Sequence, residues 1–110
     1  MALIRALSGS SGGGGENSNK YQTFATNSGG TYVIIYKGDI VKDISSGSSG
    51  STYEDDNISW TITSYGSGLW SVTNKSACKF SQNNGAQTSL SANTTKTCSY
   101  TGGVYEFDFS

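Results

Sequence analysis

The sequence contains no histidine and no proline, and only 14% of its residues are charged. Without histidine, the most common general base and metal ligand is missing. Seven basic and eight acidic residues give a formal net charge of −1, whereas binding to nucleic acid phosphates favours a basic excess. No apolar run approaches the roughly 20 residues of a membrane span. We therefore predict no nucleic-acid partner, no membrane span, no enzymatic activity, no cofactor and no metal.

Glycine and aromatic residues are abundant. The chain of 110 residues has 15 Gly, and its 7 Tyr, 4 Phe and 2 Trp all follow residue 20. Each buried aromatic side chain covers roughly 150–250 Å². This content argues against disorder throughout the chain. It predicts one domain with a thin hydrophobic core.

The composition changes near residue 20. Residues 1–7 are mainly apolar, and residues 8–19 are rich in Gly and Ser. The second stretch predicts a flexible tether with a root-mean-square reach of roughly 20 Å. We therefore divide the chain into an arm, residues 1–19, and a folded domain, residues 20–110.

The apolar residues of the arm predict a docking peptide. Leu3, Ile4 and Leu7 fit one face of a helical turn or a short strand, and so short a segment does not hold a helix alone in water. We expect Ala2, Leu3, Ile4 and Leu7 to become ordered on a partner surface; the alternative is that they pack on their own domain. Arg5 interrupts the apolar run, which is unlike a secretion signal.

The rest of the chain shows the pattern of short strands. Ile58, Trp60 and Ile62 alternate with polar residues, as in a half-buried strand. Turn-forming Gly and Asn recur between such runs, for example at Asn84-Gly85. The pattern predicts an all-β fold, a small immunoglobulin-like sandwich of about seven or eight antiparallel strands with an extended N-terminal arm. A jelly-roll-like arrangement or a small barrel is the alternative.

The only two cysteines are Cys78 and Cys98. They fall on strands that we expect to be neighbours, and an aromatic residue follows two positions after each. A disulfide would need their Cα atoms within about 7 Å. The alternative is two buried free thiols that pack as small apolar groups.

Several aromatic residues lie beside loops rich in Gly and Ser. Tyr53, Tyr65 and Trp70 are candidates for contact with a glycan or protein ligand, because Tyr, Ser, Gly and Asn are typical of adaptable binding loops. Packing at strand ends is the alternative for each. The acidic run Glu54-Asp55-Asp56 lacks the spacing of a calcium loop and is predicted to be a solvated loop.

The start Met-Ala-Leu-Ile-Arg-Ala-Leu-Ser-Gly-Ser-Ser-Gly-Gly-Gly-Gly precedes a small β-domain rich in Gly, Ser and Asn. This layout resembles small accessory virion proteins of tailed phages, which are head decoration, head-fibre or tail-associated proteins with immunoglobulin-like domains. The resemblance covers layout and composition and includes no diagnostic motif. It implies synthesis in the host cytoplasm, display on a virion in many copies, and capsid or tail proteins as partners.

Together these observations lead us to expect a non-enzymatic virion structural or decoration protein. Its N-terminal peptide would dock to the particle, and the β-domain would face outward or form homo-oligomers. One alternative is an extracellular module that binds a glycan or a surface through its aromatic loops. Another is a filament subunit that assembles through strand edges, which carry no protective proline.

Overall fold

The computed structural model describes residues 19–45 and 48–110. The predicted docking peptide and most of the tether lie outside these ranges, so they stay predictions. The residues concerned are Ala2, Leu3, Ile4 and Leu7.

The described chain is an all-β sandwich of two antiparallel sheets, as predicted. It has more strands than the sequence pattern showed, because two of them, β4 and β8, have only three residues each. Alternation is not visible over so short a length. The strands are β1 (Lys20–Ala25), β2 (Tyr32–Tyr36), β3 (Asp39–Ile44), β4 (Thr52–Glu54), β5 (Ile58–Ser64), β6 (Leu69–Asn74), β7 (Cys78–Gln82), β8 (Thr88–Leu90), β9 (Thr95–Ser99) and β10 (Tyr105–Asp108).

The larger sheet has six strands in the order β3-β2-β1-β10-β7-β8, and the smaller has four in the order β4-β5-β6-β9. The first strand is therefore central, with β2 on one side and β10 on the other. Single turns of 3-10 helix, Tyr65–Ser67 and Tyr100–Gly102, follow β5 and β9. No helix in the described ranges has the length and apolar character needed to cross a membrane.

The main core lies between the sheets and is mostly aromatic. Trp60 and Trp70 from the smaller sheet are fully buried against Tyr32 and Phe107 from the larger one. The indole Nε1 of Trp60 donates a hydrogen bond of 3.0 Å to the Thr23 hydroxyl. This bond joins the two sheets at the centre of the core.

A second apolar group lies on the opposite face of the six-stranded sheet. Phe24 of β1 pairs with Val33 of β2, and these two side chains cluster with Ile35, with Val104 packed against them. We call these four residues the outer-face cluster. Strand β2 is thus apolar on both faces, whereas β1 contributes Phe24 to the outer face beside the polar residues Lys20 and Gln22.

Candidate functional site

Trp70, predicted to contact a ligand from a loop, instead lies in the core. Its side chain is 0% exposed. The rings of Tyr32 and Tyr105 pack against it edge to face, at centroid distances of 5.8 and 5.7 Å. Trp70 follows a Gly-rich turn, but it is the second residue of β6 and points inward. It therefore has no free face for a ligand.

The two tryptophans differ in how their indole nitrogens are satisfied. Within the described ranges, Nε1 of Trp70 is buried without a hydrogen-bond partner, whereas Nε1 of Trp60 has one. A buried unpaired donor costs about 1–3 kcal/mol. Burial of the Trp70 ring stabilises the core, but its indole N–H loses a hydrogen bond to water that no described residue replaces.

Tyr65 is half-buried and holds two loops in place. Its hydroxyl lies 2.9 Å from the Gly30 carbonyl oxygen and 2.8 Å from the Ser45 carbonyl oxygen, and it donates to one of them at a time. Its ring packs on Tyr32 at a centroid distance of 5.1 Å, and the Tyr32 hydroxyl donates to the Tyr65 carbonyl oxygen. Much of the polar capacity of Tyr65 is thus used within the protein.

Tyr53 belongs to a polar group at one end of the sandwich, which we call the Asp55 network: Tyr21, Tyr53, Asp55 and Asn57. Asp55 Oδ2 accepts hydrogen bonds from the hydroxyls of Tyr21 at 2.7 Å and Tyr53 at 3.0 Å. Asp55 Oδ1 accepts from the backbone N–H groups of Asn57 at 2.8 Å and Ile58 at 2.9 Å. The side chain of Asn57 donates to the Tyr21 hydroxyl oxygen at 2.9 Å.

The ionisation of the Asp55 network follows from these contacts. Burial acts to raise the pKa of Asp55, but the hydrogen bonds from Tyr21, the two backbone N–H groups and Tyr53 outweigh it and leave that pKa lowered. Burial and the Asp55 carboxylate raise the pKa of Tyr53 to about 12 and that of Tyr21 further. At neutral pH the network therefore holds one carboxylate and two neutral phenols.

The acidic run around Asp55 shows no metal-binding arrangement. Both Asp55 oxygens already accept two hydrogen bonds each, and Glu54 pairs with Lys75 at 2.6 Å. Across residues 19–45 and 48–110, no group of three or more Cys, Asp or Glu side chains is placed to hold an ion. The chemistry of this site is structural, because its charge is balanced by donors within the fold.

Cys78 and Cys98 lie on opposite sheets, not on neighbouring strands as the sequence suggested. Cys78 begins β7 of the larger sheet, and Cys98 is in β9 of the smaller one. Both are buried free thiols, with no disulfide between them. Burial raises the pKa of Cys98 to about 12 and also raises that of Cys78. Thiols of this kind are poor nucleophiles at neutral pH.

Two of the exposed regions within the described ranges are candidate contact surfaces. The edge strand β3 exposes Ile40 (43%) and Val41 (37%). A shallow hollow beside the outer-face cluster is lined by Gln22, Asn83, Asn84, Val104 and Glu106. The continuous apolar run Val33, Ile34 and Ile35 predicts a central strand with two apolar faces, and the absence of proline predicts unprotected strand edges, but the sequence does not indicate which residues line these two surfaces.

The chain matches no protein-family model, no curated protein and no solved structure.

Proposed function

We propose that the protein is a non-enzymatic structural module, displayed by a larger assembly such as a virion and attached through its N-terminal peptide. The observation that carries this proposal is that the polar groups of the Asp55 network form hydrogen bonds with one another and with the backbone. The Asp55 carboxylate accepts four hydrogen bonds within the fold: one from Tyr21 on the other sheet, and three from Tyr53, Asn57 and Ile58 close to it in the chain. A catalytic carboxylate instead needs an oxygen free to meet its substrate.

Side-chain hydrogen bonds connect the two sheets of the β-domain at more than one place. Trp60 and Thr23 connect the sheets at the centre, and Tyr21 and Asp55 connect them at one end. Tyr65 fixes loops beside them. These contacts lie far apart along the chain, so they restrain its tertiary arrangement directly. A rigid domain on a tether suits presentation better than chemistry that needs moving parts.

Attachment through a short peptide fits the position of the first described residues. The Asn19 backbone N–H donates to the Ser110 hydroxyl at 3.1 Å, so the arm departs from the end of the sandwich where the described chain also finishes. A short apolar peptide binds weakly alone. Many copies on one particle would make attachment firm through multivalency.

The direct test is co-sedimentation of the protein with particles from its native source. We expect the full chain to sediment with the particles. A variant with Leu3, Ile4 and Leu7 all changed to Ser should sediment at least tenfold less. A matched variant with three Gly of the tether changed to Ser keeps the peptide and should bind like the parent. Equal sedimentation of all three proteins would refute attachment through the peptide.

Self-assembly through an edge is a second candidate, favoured by the exposure of Ile40 and Val41 on β3. Apolar side chains on an exposed edge strand favour pairing with another chain. The β-bulge between Ile34 and Ile35 works against extended pairing because bulges bend the edge. Sizing over a hundredfold concentration range separates the two cases: growth that Val41→Lys abolishes supports the edge, and a constant monomer refutes it.

The glycan-binding alternative rests on fewer residues than the sequence suggested. Trp70 is buried, while Tyr53 and Tyr65 are half-buried and use their hydroxyls within the protein. Glycan binding stays a proposal for the exposed parts of the Tyr53 and Tyr65 rings. A glycan array with the parent and Tyr65→Ala tests it, and an array without any bound sugar would count against it.

A further inference from the structure

The loop between β7 and β8 contains the only Asn-Gly pair of the sequence, Asn84-Gly85. Both residues are exposed. Because Gly has no Cβ, its backbone nitrogen is less shielded from the preceding side chain than that of other residues. In such a pair, the side-chain amide of Asn and the following backbone nitrogen can close a cyclic imide. The pair therefore has a chemical reactivity besides its part in the turn.

We propose that Asn84 is a site of spontaneous deamidation and that Asn83 slows the reaction. The backbone N–H of Gly85 loses its proton to hydroxide, and the nitrogen attacks the side-chain carbonyl carbon of Asn84. The amide C–N bond breaks as the ring closes, and its nitrogen leaves as ammonia with a proton from water. Water then opens the imide at either carbonyl and gives aspartate or isoaspartate. The net reaction consumes water and releases ammonia.

The backbone of this loop places the pair in a turn that also restrains it. Asn83 and Asn84 have φ of 53° and 60°, and the Gly85 N–H donates to the Gln82 carbonyl oxygen at 2.9 Å. These are features of a type I′ turn, whose left-handed positions Asn tolerates. Because the attacking nitrogen is the donor of this hydrogen bond, the turn must open before the ring can close.

Asn83 holds the turn closed. Its backbone N–H donates to the Val104 carbonyl oxygen at 2.8 Å. Its side-chain Nδ2 donates to the Gly102 carbonyl oxygen at 2.9 Å, and its Oδ1 accepts from the Val104 N–H at 2.9 Å. These three hydrogen bonds fix the first half of the turn to the segment before β10. The Asn83 side chain is itself held away from reaction, because both ends of its amide group are bonded.

Other asparagines of the described chain are less suited to this reaction. Asn74 is 0% exposed, and its side-chain nitrogen donates to two backbone carbonyl oxygens. Asn57 is bonded within the Asp55 network and precedes Ile58, whose branched side chain crowds the attacking nitrogen. Asn27 and Asn93 are exposed, but Ser or Thr follows them. Asn84 alone combines exposure with a following glycine.

Deamidation would change the hollow beside the outer-face cluster. Asn84 lines this hollow together with Glu106, so the product places a second carboxylate at its rim. One new negative charge changes the formal net charge from −1 to −2. The isoaspartate product also adds a methylene group to the main chain within the turn. The charge and shape of this surface would therefore change with the age of the molecule, whether or not the protein is attached to a particle.

Incubation of the full chain at pH 8, followed by peptide mapping with mass spectrometry, tests the site. We expect Asn84 to be converted at least tenfold faster than any other asparagine, with isoaspartate among the products. The intact product should separate on ion exchange as a more acidic species. The rate should rise with pH because hydroxide removes the Gly85 proton. Conversion of another asparagine as fast as Asn84 would overturn the proposal.

Two matched glycine variants test the chemistry. Gly85→Ala should slow conversion of Asn84 at least tenfold, because the added Cβ crowds the attacking nitrogen. That Cβ would lie 3.0 Å from the Gln82 carbonyl oxygen, which disfavours the closed turn and would act in the opposite direction. Gly66→Ala has open space for its Cβ and should leave the rate at that of the parent. Undiminished conversion in Gly85→Ala would overturn the assignment.

Asn83→Ala tests the restraint on the turn. The variant loses both side-chain hydrogen bonds to the segment before β10, so Asn84 should be converted severalfold faster than in the parent. A synthetic peptide of residues 79–90 has no such contacts and should react faster still. Circular dichroism checks that the variant remains folded during the incubation. Equal rates in the parent and Asn83→Ala would overturn the role of Asn83.

Discussion

The hydroxyl of Tyr21, on the six-stranded sheet, donates a hydrogen bond of 2.7 Å to Asp55, beside the four-stranded sheet. This contact joins residues far apart in the chain through a partly buried carboxylate. Hydrogen bonds to a charged group are worth more than neutral ones, about 1.5–3 kcal/mol. The protonation state of Asp55 is therefore coupled to how firmly the sheets are held at this end.

The first prediction concerns acid. The pKa of Asp55 is lowered in the folded state, so the folded state binds this proton less readily than the unfolded chain does. Its stabilising contribution is present above the unfolded pKa of about 4 and is lost as pH falls through the lower, folded pKa. Urea unfolding between pH 2 and pH 7 should show Asp55→Asn with a shallower loss of stability in acid than the parent.

Asp56→Asn is the matched control for this measurement. It makes the same chemical change at the exposed neighbouring residue, outside the hydrogen bonds of the Asp55 network. We expect it to keep the acid dependence of the parent. If Asp55→Asn kept the same dependence as well, the carboxylate would not couple the sheets.

The second prediction concerns alkali. Burial and Asp55 raise the pKa of Tyr53 to about 12, so the folded state resists losing this proton. The contribution of the neutral phenol is fully present below pH 10 and is lost as pH rises from 10 to 12. Tyr53→Phe should reduce the loss of stability over this interval, measured by urea unfolding.

Tyr100→Phe, at a more exposed tyrosine (37%), is the control and should leave the alkaline dependence unchanged. Absorbance at 295 nm should also show one fewer late-titrating phenol in Tyr53→Phe than in the parent. Ionisation of Tyr53 near pH 10 in the folded parent would contradict this account.

The third prediction compares the two core tryptophans. Trp60→Phe removes ring area and leaves the Thr23 hydroxyl without its donor. Trp70→Phe removes similar area but also removes an indole nitrogen that has no partner in the described ranges. We expect Trp60→Phe to lower the free energy of unfolding by about 1–3 kcal/mol more than Trp70→Phe. Chemical denaturation measures the difference, and equal losses would contradict the unequal roles of the two nitrogens.

The fourth prediction concerns the thiols. Because burial raises the pKa of Cys98 to about 12 and Cys78 is buried as well, both should react with a thiol reagent at pH 8 at least a hundredfold more slowly than in denaturant. Denatured, unreduced protein should release two equivalents of thiol. Detection of none would mean that the chain forms a disulfide after all.

The sequence predicted those features whose information is local. Ile58, Trp60 and Ile62 alternate with polar residues along a strand of seven residues. This alternation predicts both that the segment is a strand and that these three side chains point inward. The three-residue strands were too short for that. Trp70 was misjudged because its neighbouring Gly-rich turn resembled a binding loop, although its own position in β6 points inward.

Sheet assignment and polar contacts depend on pairings that the sequence does not display. The spacing of Cys78 and Cys98 predicts neighbouring strands, but β7 belongs to the six-stranded sheet and β9 to the four-stranded one. Asp55 looked like one residue of a solvated acidic loop. In the folded protein, the Asp55 carboxylate accepts a hydrogen bond from Tyr21 of the other sheet. This contact depends on the tertiary structure, so the local sequence does not predict it.

The central place of β1 has a consequence for biosynthesis. One of its two partners is β10, which leaves the ribosome last among the strands described. Until then β1 has an unpaired side, and contacts between such distant segments form slowly. The larger sheet is therefore completed only after translation of the last strand described.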